Sequence, residues 1–193
     1  MIQSTTTNQP IYSDNSGLIF NGTTSYLNTS AYTATLNTPS FTIISSATNL
    51  NNGSYGVIIS SRQDSPTKGY TLYKLDSNTW YVQFGTGGGA GSWGNLLTNI
   101  TATIGNRFIL GFNQSKTTNT ITSTIKNTST TVVNTMSVTS TTYTPASNII
   151  STRIGAGTTE QLPQFFFNGY INDIFYFGVS ISGAQQTNVS NLL

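Results

Sequence analysis

From residue 17 onward the chain reads as short runs of β-branched and aromatic residues, each closed by Gly, Asn, Asp or Ser, with no long apolar stripe at 3.6-residue spacing. That texture dictates strands joined by turns. The runs fall at 17–21, 25–28, 40–46, 56–62, 70–75, 79–85, 96–101, 107–113, 120–126, 130–138, 149–155 and 165–179. A dozen strands are too many for one open twisted sheet, which splits into two. Asn52-Gly53, Asp76-Ser77-Asn78, Gly105-Asn106 and Asn168-Gly169 supply residues that tolerate positive φ or bond their own backbone, so they punctuate hairpins. Only 182–193 reads as a helix, with Ser182 capping a short turn before Ala184, Val189 and Leu192. Residues 1–16 are expected to be a flexible N-terminal arm. Residues 17–193 are expected to form one all-β domain, a two-sheet antiparallel β-sandwich of jelly-roll type.

Charge is scarce. Seven Lys or Arg and five Asp or Glu make up 6% of 193 residues, against roughly 25% in an average soluble domain. Thirty-five Thr, 24 Ser and 21 Asn make the chain polar without charge, while 10 Phe, 10 Tyr and 2 Trp are enough to fill a core. Disorder is therefore excluded, because it requires low hydrophobicity and high charge. A net charge of +2 without a basic cluster gives no footprint for nucleic acid, and no apolar run is long enough to cross a membrane as a helix. Thr explains the composition: its stiff β-branched stem suits a strand and its hydroxyl suits water, so 117–144 reads as the solvated face of a sheet. Ile121, Ile125, Val132, Val133, Met136 and Val138 are expected on the buried side, with a bulge at Val132/Val133.

The chain has no Cys and no His. Disulfides, structural zinc, a Cys nucleophile and an imidazole base are all excluded, which closes most hydrolase routes. A glycosidase needs two facing carboxylates, and here Glu160 stands in a loop while Asp14, Asp64, Asp76 and Asp173 are scattered. The chain is therefore expected not to be an enzyme. The first fourteen residues lack the basic and apolar regions of a signal peptide, so cytoplasmic synthesis or an already removed leader is expected.

Four segments carry a family resemblance. They are Phe20-Asn21-Gly22-Thr23-Thr24-Ser25-Tyr26-Leu27; Ser40-Phe41-Thr42-Ile43 followed by Val57-Ile58-Ile59-Ser60-Ser61-Arg62; Ile154-Gly155; and Phe167-Asn168-Gly169-Tyr170-Ile171-Asn172-Asp173-Ile174-Phe175-Tyr176 with its exit Val179-Ser180-Ile181-Ser182. In this order and spacing they resemble the concanavalin A-like sandwiches, in particular the laminin-G-like modules of lectins, adhesins and virus or phage surface proteins. The resemblance covers 17–193. It departs at Asn106-Arg107-Phe108, where the family usually has a Trp, at Ile125-Lys126-Asn127-Thr128, and at Asn21, where an Asp is common.

The resemblance implies a search for sugar and calcium sites. Trp93, at the end of the Gly-rich stretch 85–94, is the candidate glycan platform, with Tyr55 and Tyr70 on neighbouring loops. The other reading of Trp93 is an aromatic folded back onto the core; Trp80, between Tyr81 and Phe84, reads as core. The Gly-rich stretch is expected to be a flexible loop, since it lacks the Lys and following helix of a phosphate cradle. Asp173 with the carbonyl of Asn21 is the candidate calcium pair, and the alternative is that Asp173 braces the closing strand. Nothing beyond that structural calcium is expected as a cofactor.

The leading expectation is a non-catalytic structural or adhesive surface protein, a virion capsid, decoration or fibre component that binds glycans. Its partners would be other virion or surface proteins and glycans, with a homo-oligomer open, at a virion surface or outside the cell. The alternative is a secreted, lectin-like carbohydrate-binding module separated from its enzyme or leader.

Overall fold

The computed structural model describes residues 5–14, 16–29, 40–139, 142–147, 150–157, 160 and 162–193. A 3-10 turn at Thr6–Asn8 precedes β1 (Ile11–Ser13), β2 (Gly17–Asn21) and β3 (Leu27–Asn28). Long strands follow: β4 (Phe41–Asn49), β5 (Gly56–Asp64), β6 (Thr67–Lys74), β7 (Thr79–Gly85), β8 (Trp93–Thr101), β9 (Arg107–Ser115) and β10 (Thr120–Asn127). The chain closes with β11 (Val133–Thr139), β12 (Arg153–Ile154), β13 (Asn168–Phe177) and the helix α1 (Gly183–Leu192). Every described strand pairing is antiparallel. A seven-stranded sheet runs β1-β2-β13-β4-β9-β10-β11 and a six-stranded sheet runs β3-β12-β5-β6-β7-β8.

The expected β-sandwich is the observed one. Alternation builds its core: Tyr70 and Leu72 from β6 and Trp80, Val82 and Phe84 from β7 face Phe41, Ile43, Phe108, Leu110 and Phe112 from β4 and β9. Phe41 lies 5.0 Å from Tyr70 and 5.3 Å from Phe112, and Trp80 meets Phe108 edge-on at 5.3 Å, so rings from both sheets interlock. Truncating Phe41 to Ala costs about 3–5 kcal/mol.

Three expectations need correction. Ile11–Ser13, read as part of a flexible arm, adds an edge strand to β2. The β10–β11 register is unbroken, so there is no bulge at Val132/Val133; the parity slip is absorbed by a turn with Thr131 at φ 58 and Asn127 N–H donating to the Val132 carbonyl. Val132 and Val133 are both exposed, whereas Met136 and Val138 do pack against the core. The hydroxyl face is as expected: Thr122 pairs with Ser137 at 3.0 Å and Thr124 with Thr135 at 3.3 Å across β10 and β11.

Candidate functional site

Core positions on β6, β7 and β8 fix what the six-stranded sheet presents outward. With Trp80, Val82 and Phe84 inside, Tyr81 and Gln83 point out; with Leu96 and Ile100 inside, so do Asn95, Leu97 and Asn99. Registers Thr71↔Gln83 and Gln83↔Asn95 make a polar row across the face, and Tyr73↔Tyr81↔Leu97 make an apolar one. Tyr73 meets Tyr81 edge-on at 5.2 Å, Tyr55 lies 6.4 Å from Tyr73, and Phe165 packs 5.3 Å from Tyr55, continuing that row onto the flanking loops.

At the other end of the face, Arg62 of β5 stands opposite Gly69, and Trp93 of β8 stands opposite Gly85. The two glycines leave a channel across β6 and β7. Along it the Arg62 guanidinium reaches to 4.6 Å from the Trp93 ring centre. Neither glycine is replaceable. Gly69 has φ +82 and a Cβ there would collide with the Ser61 carbonyl, while a Cβ on Gly85 would run into the backbone of Lys68. Arg62 Nε donates to Asp64 Oδ1 at 2.7 Å and its Nη1 donates to Gln83 Oε1 at 2.9 Å, so the guanidinium is fixed before any ligand arrives. Asp64 is fixed in turn: its backbone N–H donates to Glu160 Oε1 at 2.6 Å.

The Gly-rich stretch ahead of Trp93 is tied down, against the expectation of a flexible loop. Thr67 N–H donates to the Gly88 carbonyl, Gly87 N–H donates to the Thr67 carbonyl, and the Ser92 carbonyl accepts from the hydroxyls of Thr67 (2.9 Å) and Thr86 (2.6 Å). Trp93 thus sits half-buried, on a supported strand end, beside the exposed Asn95 and Leu97. Such a surface can hold the C–H face of a ring against indole and meet hydroxyls with the amides of Gln83 and Asn95.

The sequence-level candidates separate. Trp93 is at this surface and is not folded into the core. Tyr55 is 39% exposed, but lies beyond the Tyr73↔Tyr81 row, four residues and about 13 Å along the strands from the Gly85↔Trp93 row. Tyr70 is fully buried among Phe41 and Phe112, and burial pushes its phenol far above the ordinary range, so it cannot line a loop site; it shares parity with Leu72, which is core. The calcium pair is not assembled either. Asn21 Oδ1 accepts from the N–H groups of Thr23, Thr24 and Ser25 at 2.9–3.0 Å, closing a turn. Asp173 is five residues along β13 from Asn168, the partner of Asn21, and faces Arg107 at 4.0 Å. Among the described residues, no three His, Cys, Asp or Glu gather to hold a metal. The sequence reading missed Arg62, Gln83 and the Asp64–Glu160 contact. Gly69 and Gly85, glycines interior to strands, were the available signal for a close approach across the sheet.

No protein-family model matches the chain, and no curated protein matches it in sequence. Solved structures do resemble it. The CBM40 domain of the Ruminococcus gnavus IT-sialidase, in a structure with alpha2,3 sialyllactose bound, superposes with a TM-score of 0.65 at 10% identity, covering 85% of this chain and 95% of that one. Full-length tailspike protein 2 of the Escherichia coli O157:H7 bacteriophage CAB120 gives 0.66 at 12% identity, over 95% of this chain but only 26% of the tailspike. The LG1-3 region of the laminin alpha2 chain gives 0.64 at 10% identity, over 86% of this chain and 32% of that one. At these identities the likeness is one of fold, and the fold is the concanavalin A-like jelly roll, laminin-G-like modules included.

Proposed function

We propose that this chain is a non-catalytic, glycan-binding β-sandwich that serves as a structural or adhesive component of an exterior surface, as a virion capsid, decoration or fibre protein does. The observation that carries the glycan reading is the Arg62–Trp93 pair, set across two side-chain-free positions and bordered by Gln83 and Asn95. A flat ring, fixed donors and amides, with little net charge, suit a polyhydroxylated ligand. The non-catalytic reading rests on the acids: Asp64 is spent on Arg62 and Glu160 on the Asp64 backbone, which leaves neither placed as a free acid and base pair. The resemblance to a carbohydrate-binding module solved with a sialyllactose and to a phage tailspike supports both halves of the proposal. A secreted carbohydrate-binding module is the second reading, favoured by the match to nearly the full length of the CBM40 domain but only a quarter of the tailspike.

A glycan array probed with the intact protein tests the binding. The expected result is capture on at least one glycan, lost in Trp93→Ala while the melting temperature holds; no capture on any glycan overturns the proposal. Native mass spectrometry separates the two readings, since a multimer supports the structural component and a strict monomer with micromolar glycan affinity supports the secreted module.

A further inference from the structure

The opposite side of the sandwich carries a different opening. Helix α1 lies over the outer face of the seven-stranded sheet, yet none of its residues is buried. A helix whose few apolar residues, Ala184, Val189 and Leu192, all stay unburied is not docked by apolar burial. Its described attachments are at its start. The Thr42 hydroxyl donates to the Val179 carbonyl and accepts from Ile181 N–H, both at 3.1 Å, and the Ile181 carbonyl accepts from Asn113 Nδ2 at 2.9 Å and Gln186 Nε2 at 3.1 Å. Ser182 and Gln185 close a reciprocal capping box. Beyond that anchor the helix stands away from the sheet, and a cleft of about 520 Å³ is left between α1 and strands β4, β9, β10 and β11. That volume falls among small-molecule sites, roughly 300–1,000 Å³.

The lining states what would fit. Ile44, Ile109 and Val133 give the floor its apolar patches, with Gly111 opposite Ile44 and Lys126 between Ile109 and Val133. Gly111 does not need its freedom of backbone: a Cβ there would meet the Thr124 carbonyl at 3.3 Å and Gln186 Oε1 at 3.7 Å, so the missing side chain serves chiefly to keep the cleft open. Thr122, Thr124, Thr135, Thr187 and Ser190 bring hydroxyls to the walls. Asn113, whose Nδ2 donates to the Ile181 carbonyl, closes the end of the cleft beside the helix start. Among the described residues of the lining Lys126 is the one charge, it makes no ion pair with any described residue, and none of them is a carboxylate.

We infer that this cleft is a second ligand site, distinct from the Trp93 surface, and that it takes a carboxylated monosaccharide, a sugar acid of the uronate class. The ring's C–H face lies over Ile109 beside Gly111, its hydroxyls meet Thr122, Thr124 and Thr135, and its carboxylate meets Lys126 on the next strand. Acceptors and hydroxyls alone would suit a neutral sugar, and a floor with one cation would suit an aliphatic acid. The lining provides for both at once.

The probe is sodium D-glucuronate, titrated into the full chain and followed by calorimetry and by amide shifts of α1, with D-glucose and hexanoate in parallel. Glucuronate is expected to bind at least tenfold more tightly than either control. Lys126→Gln brings it down to the glucose level, and Gly111→Val abolishes it by filling the floor. Thr187→Phe fills the same cleft from its helix wall and leaves the sheet untouched, so a folding defect in the glycine variant cannot imitate the result. Trp93→Ala leaves glucuronate binding unchanged, which separates this site from the surface proposed above. No binding of glucuronate, equal binding of glucose or hexanoate, or binding that survives both Lys126→Gln and Thr187→Phe overturns the assignment.

Discussion

The two outer faces of this sandwich are made from the same charge-poor sequence and work in opposite ways. On the six-stranded sheet, Arg62 crosses Gly69 and Gly85 to reach Trp93 and is clamped by Asp64 and Gln83, so the groups are set before anything binds. On the seven-stranded sheet, Thr and Ser pair across β10 and β11 beneath a helix fastened at its start, so an opening is kept and little is clamped. A rigid aromatic face needs special backbone positions; a hydroxyl face needs only alternation. The difference is therefore testable as a difference in tolerance.

Alkali gives the largest effect, in which Tyr73 speaks for the six-stranded face and Tyr70 and Tyr143 for the core behind it. Burial raises the phenol pKa values of Tyr70, Tyr73 and Tyr143, with neighbouring phenols adding to the shift. A raised folded-state value means that stability is fully present below the unfolded value of about 10 and is lost as pH rises beyond it. Each phenol contributes about 1.4 kcal/mol per pH unit, so the three together predict a loss on the order of 4 kcal/mol by pH 11. Lys74, buried against the Ser54 carbonyl and lowered by desolvation, acts in the opposite sense up to about 10.5 and offsets part of this. Denaturant midpoints at pH 9 and 11 measure it, and Tyr73→Phe should flatten the slope by about a third. Thr124→Val, on the hydroxyl face, should leave the slope alone.

Glycine substitution comes next. Gly69→Ala should cost about 2–4 kcal/mol, because positive φ and a collision with the Ser61 carbonyl act together. Gly111→Ala should stay within about 1 kcal/mol. Equal costs in thermal melts would erase the contrast between the faces.

Helix capping is smaller. Ser182→Ala removes the bond from Gln185 N–H and should cost α1 about 1 kcal/mol, read as faster amide exchange across 183–192 with the sheets unaffected. Smallest of all, Thr135→Val should change global stability by less than about 0.5 kcal/mol, since its hydroxyl bond is exposed.

What the sequence revealed follows the range of the physics. Strands 17–21 and 79–85 match the structure end to end, because their limits are set by local Gly, Asn and Asp. The Ser182 cap is equally local and was read correctly. β1 escaped because a three-residue strand with no buried position carries no alternation, and 165–179 was read too long because Phe165 takes φ 54 ahead of the strand. Trp93 was visible as a residue but not as a pair. Its partner lies 31 positions earlier, two strands intervene, and Glu160 reaches Asp64 across 96 positions. Tyr70 shares parity with Leu72, and an alternation argument along β6 puts both on the core side, as the structure does.

Fluorescence offers the sharpest test of the central claim, because Trp80 is wholly buried and Trp93 alone reports the surface. A glycan captured by the array, titrated against the intact protein, should perturb the emission of Trp93. In Trp93→Ala its affinity, measured by calorimetry, should fall at least about thirtyfold, the mark of a residue worth about 2 kcal/mol. An unchanged affinity in that variant, with the fold intact, would contradict the account.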